Sequence, residues 1–230
     1  IGDSVLIERA GDVIPKIVKV IIERRPKDTK PFIIKPICPS CENIIKPLEN
    51  EAVLRCENIL CPAQVKEKIQ HFCSKLAMNI DGLGEKIVNQ LVDKNIIQSF
   101  DQIYTLSKDQ LIGLEKFGDK SAENLLNAIK NSKNPSLSRF IYSLGIRNVG
   151  EHTSKVLVNY FKNDLDKLKE ADFDTLITID EIGPTVAKSI INFWSKDINN
   201  IVVKNCLNNG IKFKVNDISF TPKLTGVTFV

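Results

Sequence analysis

Four glycines, Gly84, Gly118, Gly150 and Gly183, recur along this chain at intervals of about 33 residues, and self-similarity at such a period marks a repeat architecture. Their neighbours recur with them. An apolar residue precedes each glycine (Leu83, Phe117, Val149, Ile182), and another stands four before it (Ile80, Leu114, Ile146, Ile179). A residue of modest size follows at four after it (Val88, Ala122, Ser154, Ala187), then an apolar pair at seven and eight (Leu91/Val92, Leu125/Leu126, Leu157/Val158, Ile190/Ile191). That register predicts two short helices joined by a tight glycine turn, written four times. Glycine accepts positive φ at no steric cost. The helix after each turn opens with N–H groups that have no intrahelical acceptor, at the positive end of its dipole. Such a turn can grip a phosphate without reading a base. The candidates are Gly82 and Gly84 with Lys86, Gly118 with Lys120, Gly150 with His152, and Gly183 with Thr185.

The turns are unequal. Only the first has a double glycine, and Lys116, Asn148 and Glu181 stand where Gly82 does. The first turn is therefore the best expected anion site, and Glu181 makes the fourth the worst. Glu85, Asp119 and Glu151 directly follow a glycine, which suits a helix start but repels a phosphate unless they point aside. Some turns are expected only to pack the domain. Tetratricopeptide and ankyrin repeats share this period and bind proteins, but their tryptophan/tyrosine and T-P-L-H signatures are missing.

Four of the six cysteines crowd into Cys38-x2-Cys41-x14-Cys56-x4-Cys61, while Cys73 and Cys206 stand apart. Nothing else resembles a secreted, disulfide-built domain, so the pairs read as a zinc knuckle. Four thiolates would complete a tetrahedral shell and leave no open position, which makes the site structural rather than catalytic. The stretch is too short for a core of its own, so the metal would supply much of its folding free energy.

Residues 1–25 read as strands, with Val5 and Ile7 alternating, a turn at Gly11-Asp12, and a strand pattern from Lys16 to Ile22. Two strands alone bury no core, so they are expected to end a sheet whose earlier strands lie elsewhere. Helical patterning runs from Val65, with a first helix to Leu76 and a helix start at Ser136 after Pro135. Strand-like alternation returns beyond Gly210. Ile1 in place of Met, and a strand-like run up to Val230, are expected of a piece of a longer polypeptide. No apolar run approaches a membrane span and no leader is visible, so a cytosolic protein is expected. The net charge of +4 allows a nucleic-acid partner without demanding one.

No catalytic residue is expected. His71 and His152 sit in different repeat units, and neither H-E-x-x-H nor G-x-x-x-x-G-K-[ST] occurs. Asn79-Ile80-Asp81-Gly82 is similar to the K-x-D-G of nucleotidyltransferases but has asparagine in place of the lysine.

The order of a strand pair, a four-cysteine knuckle, four hairpins, a linker and a new strand resembles the C-terminal half of the bacterial NAD-dependent DNA ligases. Ala10-Gly11-Asp12-Val13-Ile14-Pro15 looks like the end of their oligonucleotide-binding (OB-fold) barrel, and Cys38-Pro39-x-Cys41 with Cys56-x4-Cys61-Pro62-Ala63-Gln64 is similar to their zinc finger. Gly82-Leu83-Gly84, Phe117-Gly118-Asp119-Lys120, Gly145-Ile146-Arg147-Asn148-Val149-Gly150 and Ile182-Gly183-Pro184-Thr185 look like their four hairpins, and Gly226 to Val230 like the first strand of their BRCT domain. The resemblance implies a mainly α, multidomain fragment: a helix-hairpin-helix repeat domain preceded by a small four-cysteine zinc finger and the last strands of an OB-fold barrel. Its parts would be 1–25 (OB-fold strands), 26–64 (connector and zinc finger), 65–217 (four hairpins) and 218–230 (linker and first BRCT strand). It further implies a DNA clamp for nick sealing in replication and repair, with Arg9, Val13, Ile14 and Arg147 joining the hairpin residues as DNA contacts. Zinc would bind here. NAD, magnesium or manganese and the adenylated lysine would belong to an N-terminal nucleotidyltransferase portion of a monomeric, cytoplasmic bacterial enzyme acting on nicked duplex DNA. A non-catalytic helix-hairpin-helix and zinc module of another repair or recombination protein is the alternative.

Overall fold

The computed structural model describes residues 2–11, 14–47, 54–56, 58 and 60–214. The linker and strand expected at 218–230 and the contact expected at Val13 lie outside them. The chain divides into two compact units, residues 1–56 and 57–230.

In the first unit, β1 (Val5–Ala10) and β2 (Ile14–Val20) pair antiparallel, with Val5 opposite Val20 and Arg9 opposite Pro15. The second strand stops short of Ile22, where a 3-10 turn over Ile22–Arg24 takes over. Apolar side chains fall at successive positions (Leu6 and Ile7, Ile17 and Val18), so both faces of the ribbon carry them. All four are exposed, and Ile14 is too. A bidentate pair, Arg25 Nε and Nη2 on the Asp3 carboxylate at 2.7 and 2.8 Å, fastens the exit of the ribbon to its start. The guanidinium hydrogen bonds hold that carboxyl below its ordinary value. Further on, the one-residue bridge Ile37–Ile44 and the short pair β3 (Lys46–Pro47) and β4 (Leu54–Arg55) frame the cysteine knuckle.

The second unit is helical. Its elements are α1 (Pro62–Cys73), α2 (Glu85–Asp93), a 3-10 segment Phe100–Thr105, α3 (Lys108–Ile112), α4 (Asp119–Asn131), α5 (Leu137–Ser143), α6 (Glu151–Tyr160), α7 (Leu165–Glu170), α8 (Phe173–Ile177), α9 (Pro184–Trp194) and α10 (Asp197–Asn208). The hairpins are α1–α2, α3–α4, α5–α6 and α8–α9. Pro62 starts α1 three residues earlier than the periodicity predicts, since a proline at the first helical turn sacrifices no hydrogen bond. Beyond Gly210 the chain is extended to Lys214. Lys212 and Lys214 N–H groups bond the Lys133 and Pro135 carbonyls, and Phe213 packs on Phe140.

The repeat register is a burial register. Val88, Ala122, Ser154 and Ala187, four past each glycine, are all at 0% exposure. Leu91, Leu125, Leu157 and Ile190 behind them are buried as well. Ser154 is the polar member of its set, and its hydroxyl donates to the Gly150 carbonyl at 2.8 Å, which removes the cost of burying it.

The hairpins associate two and two. Gln90 of α2 receives the Glu115 N–H at 2.7 Å, and Lys94 reaches the Gly113 carbonyl at 2.8 Å, tying hairpin one to hairpin two. Asn148 donates to Ser189 at 3.1 Å, tying hairpin three to hairpin four. Across the two pairs, His71 bonds the Tyr142 carbonyl at 2.7 Å, Arg139 donates to the Ala77 carbonyl at 2.8 Å, and Asn205 donates to the buried Asp101 at 2.9 Å.

Candidate nucleic-acid interface and metal centre

The recurring glycines are not the left-handed residues of their turns. Gly84, Gly118, Gly150 and Gly183 have φ of −79, −99, −84 and −80°, open to any residue. The positive φ sits two residues earlier, at Gly82 (+88°), Lys116 (+59°), Asn148 (+61°) and Glu181 (+69°). Each turn closes through the N–H of the residue just before the glycine, which bonds the carbonyl three residues further back: Leu83 on Ile80, Phe117 on Leu114, Val149 on Ile146, Ile182 on Ile179. That four-residue turn demands positive φ at its third position. Gly82 thus serves the turn, and lysine and glutamate elsewhere hold a conformation costing about 1 kcal/mol each.

Each recurring glycine is instead the N-cap of the hairpin's second helix, and none of the four makes a side-chain cap. A Cβ added at any of them would meet nothing within 4 Å among the described residues. Each glycine therefore leaves the approach to the N-terminus of α2, α4, α6 or α9 clear. Lys86, Lys120, His152 and Thr185 stand at the second helical position, all exposed. Two of the three acids that follow the glycines turn aside: Asp119 pairs with Lys108 at 3.0 Å and Glu151 with Lys155 at 2.6 Å, while Glu85 is exposed. Hydrogen bonding to Lys155 lowers the Glu151 carboxyl below its ordinary value. Lys86 and Lys120 form no ion pair among the described residues.

The four termini are not equivalent in donors. Pro184 opens α9, so the fourth terminus lacks one N–H that the other three have. His152 is engaged, with its Nε2 2.6 Å from Glu181 Oε2 of the fourth turn. The donor expected to face a phosphate through that nitrogen is shared with a carboxylate, because pairing hairpins three and four brings the two side chains together. Arg147 is exposed on the third turn, and Arg9 and Ile14 are exposed on the strand ribbon of the first unit.

Cys38, Cys41, Cys56 and Cys61 place their sulfurs within 4.8 Å of one another, with Cys38 and Cys61 buried. The edges of a zinc–thiolate tetrahedron are about 3.8 Å, given bonds of about 2.3 Å, and Cys41 Sγ lies 3.5 Å from Cys56 Sγ. The set fits a metal. The turn Cys38–Cys41 is held by the Cys38 N–H on Asn43 O and the Glu42 N–H on Cys38 O, at 2.8 and 2.9 Å. Cys61 is the N-cap of α1. Cys73 and Cys206 are core residues, and burial pushes the Cys73 thiol up to about 12 and raises that of Cys206 as well.

Comparison with known proteins follows the same division. The family described as "SAM-like Helix-hairpin-helix tandem" matches residues 74–131, covering the first two turns, and "Helix-hairpin-helix motif" matches 139–203, covering the last two. The chain is also similar throughout to proteins named DNA ligase. Identity is 44% over 230 residues to that of Geobacter sulfurreducens, 45% over 229 to that of Geotalea uraniireducens, and 42% over 233 to that of Cellvibrio japonicus. Each alignment takes in 100% of this chain and 34% of the relative, so the chain spans about a third of the length of the curated relatives it matches.

Proposed function

We propose that this chain, a helix-hairpin-helix homologue of part of the DNA ligases, is the portion of an NAD-dependent ligase that holds nicked duplex DNA by its backbone while another portion seals it. The observation that carries the reading is the set of four uncapped, glycine-opened helix starts with open space in front of each. Bare N–H groups at a positive dipole end suit phosphate oxygens, and the absence of a Cβ lets a strand approach closely. Lys86, Lys120 and Arg147 add charge and Thr185 a donor, and His152 adds one on releasing Glu181. Contacts of this kind position a duplex without reading its sequence.

In the same reading the exposed apolar ribbon β1–β2 is the end of an OB-fold barrel, whose other strands would cover its faces. Arg9, Val13 and Ile14 would meet DNA near the nick. Zinc would be held by Cys38, Cys41, Cys56 and Cys61 and would serve the fold only. Residues 218–230 would lead into a BRCT domain. NAD and a magnesium or manganese ion would be bound by a nucleotidyltransferase portion of the same cytoplasmic, monomeric enzyme. The relatives' names favour a ligase over a non-catalytic repair module.

Binding of a labelled nicked duplex across a salt series tests the clamp. Phosphate contacts make the logarithm of affinity fall linearly with the logarithm of salt concentration. Lys86→Ala is expected to reduce that slope by about 1. No detectable binding at low salt would sink the reading. For the metal, the purified chain should carry one equivalent of zinc and Cys56→Ser should lose it; tight zinc retention by that variant would contradict the ligand set.

A further inference from the structure

A cleft of about 660 Å³ lies behind the first hairpin turn, apart from the four glycine-opened helix starts. Five asparagines line it: Asn79 from the turn, Asn124, Asn127 and Asn131 from α4, and Asn134 beyond it. On α4 the three stand at i, i+3 and i+7, one exposed helix face. Asparagine is a poorer helix former than alanine because its amide competes for backbone hydrogen bonds. A row of three therefore works against the helix that carries it. None of the five side-chain amides bonds another described residue.

Charge in the cleft is small and mixed. Arg139 directs its donors to the Ala77 and Lys75 carbonyls but keeps its charge, which with Lys214 stands against Asp81. Such a surface suits uncharged hydrogen-bonding groups better than phosphates, since each amide offers two donors and an acceptor. Its position links it to the first turn: Asn79 and Asp81, beside and within that turn, line it together with α4.

We infer that the amide row Asn124, Asn127 and Asn131, with Asn79, is a second DNA contact. It takes sugar oxygens and minor-groove base-edge acceptors of a strand whose phosphates are held at Gly84 and Lys86. This rests on the clamp reading above and adds to it a neutral, salt-insensitive share of the affinity.

The test is the triple variant Asn124→Ala, Asn127→Ala, Asn131→Ala in the whole chain, measured with a labelled nicked duplex over a salt series beside Lys86→Ala. The triple variant should bind on the order of tenfold more weakly at every salt concentration, with the parent's salt slope. Its melting temperature should rise, because alanine favours α4. Parent-like affinity overturns the inference, and so does a loss accompanied by a lower melting temperature or a changed slope. If Lys86→Ala still flattens the slope in those cases, the clamp reading stands and only the amide contact is lost. If the parent chain binds no duplex at low salt, the clamp reading fails and takes this inference with it.

Discussion

Two kinds of helix start recur among the hairpins of the helical unit. In hairpins two, three and four the first helix opens on a side-chain cap. Ser107 accepts the Gln110 N–H in a reciprocal capping box, Ser136 accepts from Arg139, and Asp172 accepts from Thr175 at 2.8 Å. The second helix of every hairpin opens on glycine with no cap at all. Energy alone does not explain the difference, because glycine at an N-cap is only a few tenths of a kcal/mol worse than serine or aspartate. Geometry does. The capped starts spend their N–H groups inside the chain, whereas the glycine starts keep theirs available and keep the approach clear.

The largest expected effect comes from converting one kind of start into the other. Gly84→Asp places an allowed cap and a negative charge on the first anion site. DNA affinity should fall about a hundredfold at low salt, while the melting temperature holds or rises slightly. Gly183→Asp should cost far less, since the fourth terminus already lacks an N–H at Pro184 and already carries Glu181 in its turn. Equal losses at both positions would refute the ranking of the turns.

A middle-sized effect belongs to the capped starts. Ser107→Ala should destabilise the chain by about 1 kcal/mol in a denaturant titration and leave duplex affinity untouched. The aspartate caps add a pH signature. Hydrogen bonds from the Thr175 and Lys167 segments hold the Asp172 and Asp164 carboxyls below their ordinary value of 3.8. Their contribution is therefore complete above that value and fades as pH falls through the lowered folded values. Asp172→Asn should remove part of this acid dependence, and a melting profile unchanged below pH 4 would count against it.

Much of this was legible in the register of apolar residues, because burial at four and seven past each glycine is a property of helix periodicity. The role of the glycine was not. Gly82-Leu83-Gly84 holds both a turn glycine and a cap glycine, and the sequence does not say which one answers to backbone geometry. The left-handed position is filled by Lys116, Asn148 and Glu181 elsewhere, so only the backbone angles separate the two. The recurring glycine has no neighbour among the described residues to explain it. The pairing of His152 with Glu181 was hidden for a related reason: the residues are 29 apart and meet only when hairpins three and four associate. The asparagine row on α4 stands in the sequence at i, i+3, i+7, but neutral amides carry neither the charge nor the turn chemistry that marks a phosphate site.

The smallest expected effect runs in the opposite direction to the others. Pro184→Ala would give the fourth terminus the N–H its counterparts have, without adding charge or a cap. One more N–H on a phosphate at this exposed, solvent-screened terminus contributes about 0.5–1 kcal/mol, the low end of the hydrogen-bond range, so duplex affinity should rise by roughly twofold to fivefold. Stability should fall slightly, because proline at the first helical position restricts the unfolded chain and suits the helix start. A gain in affinity with a loss in stability is the reverse of the outcome expected for Gly84→Asp. The two variants together therefore separate what these helix starts do for the fold from what they do for DNA. If Pro184→Ala leaves affinity unchanged while Gly84→Asp abolishes it, the fourth hairpin does not touch the duplex, and its glycine serves only the repeat.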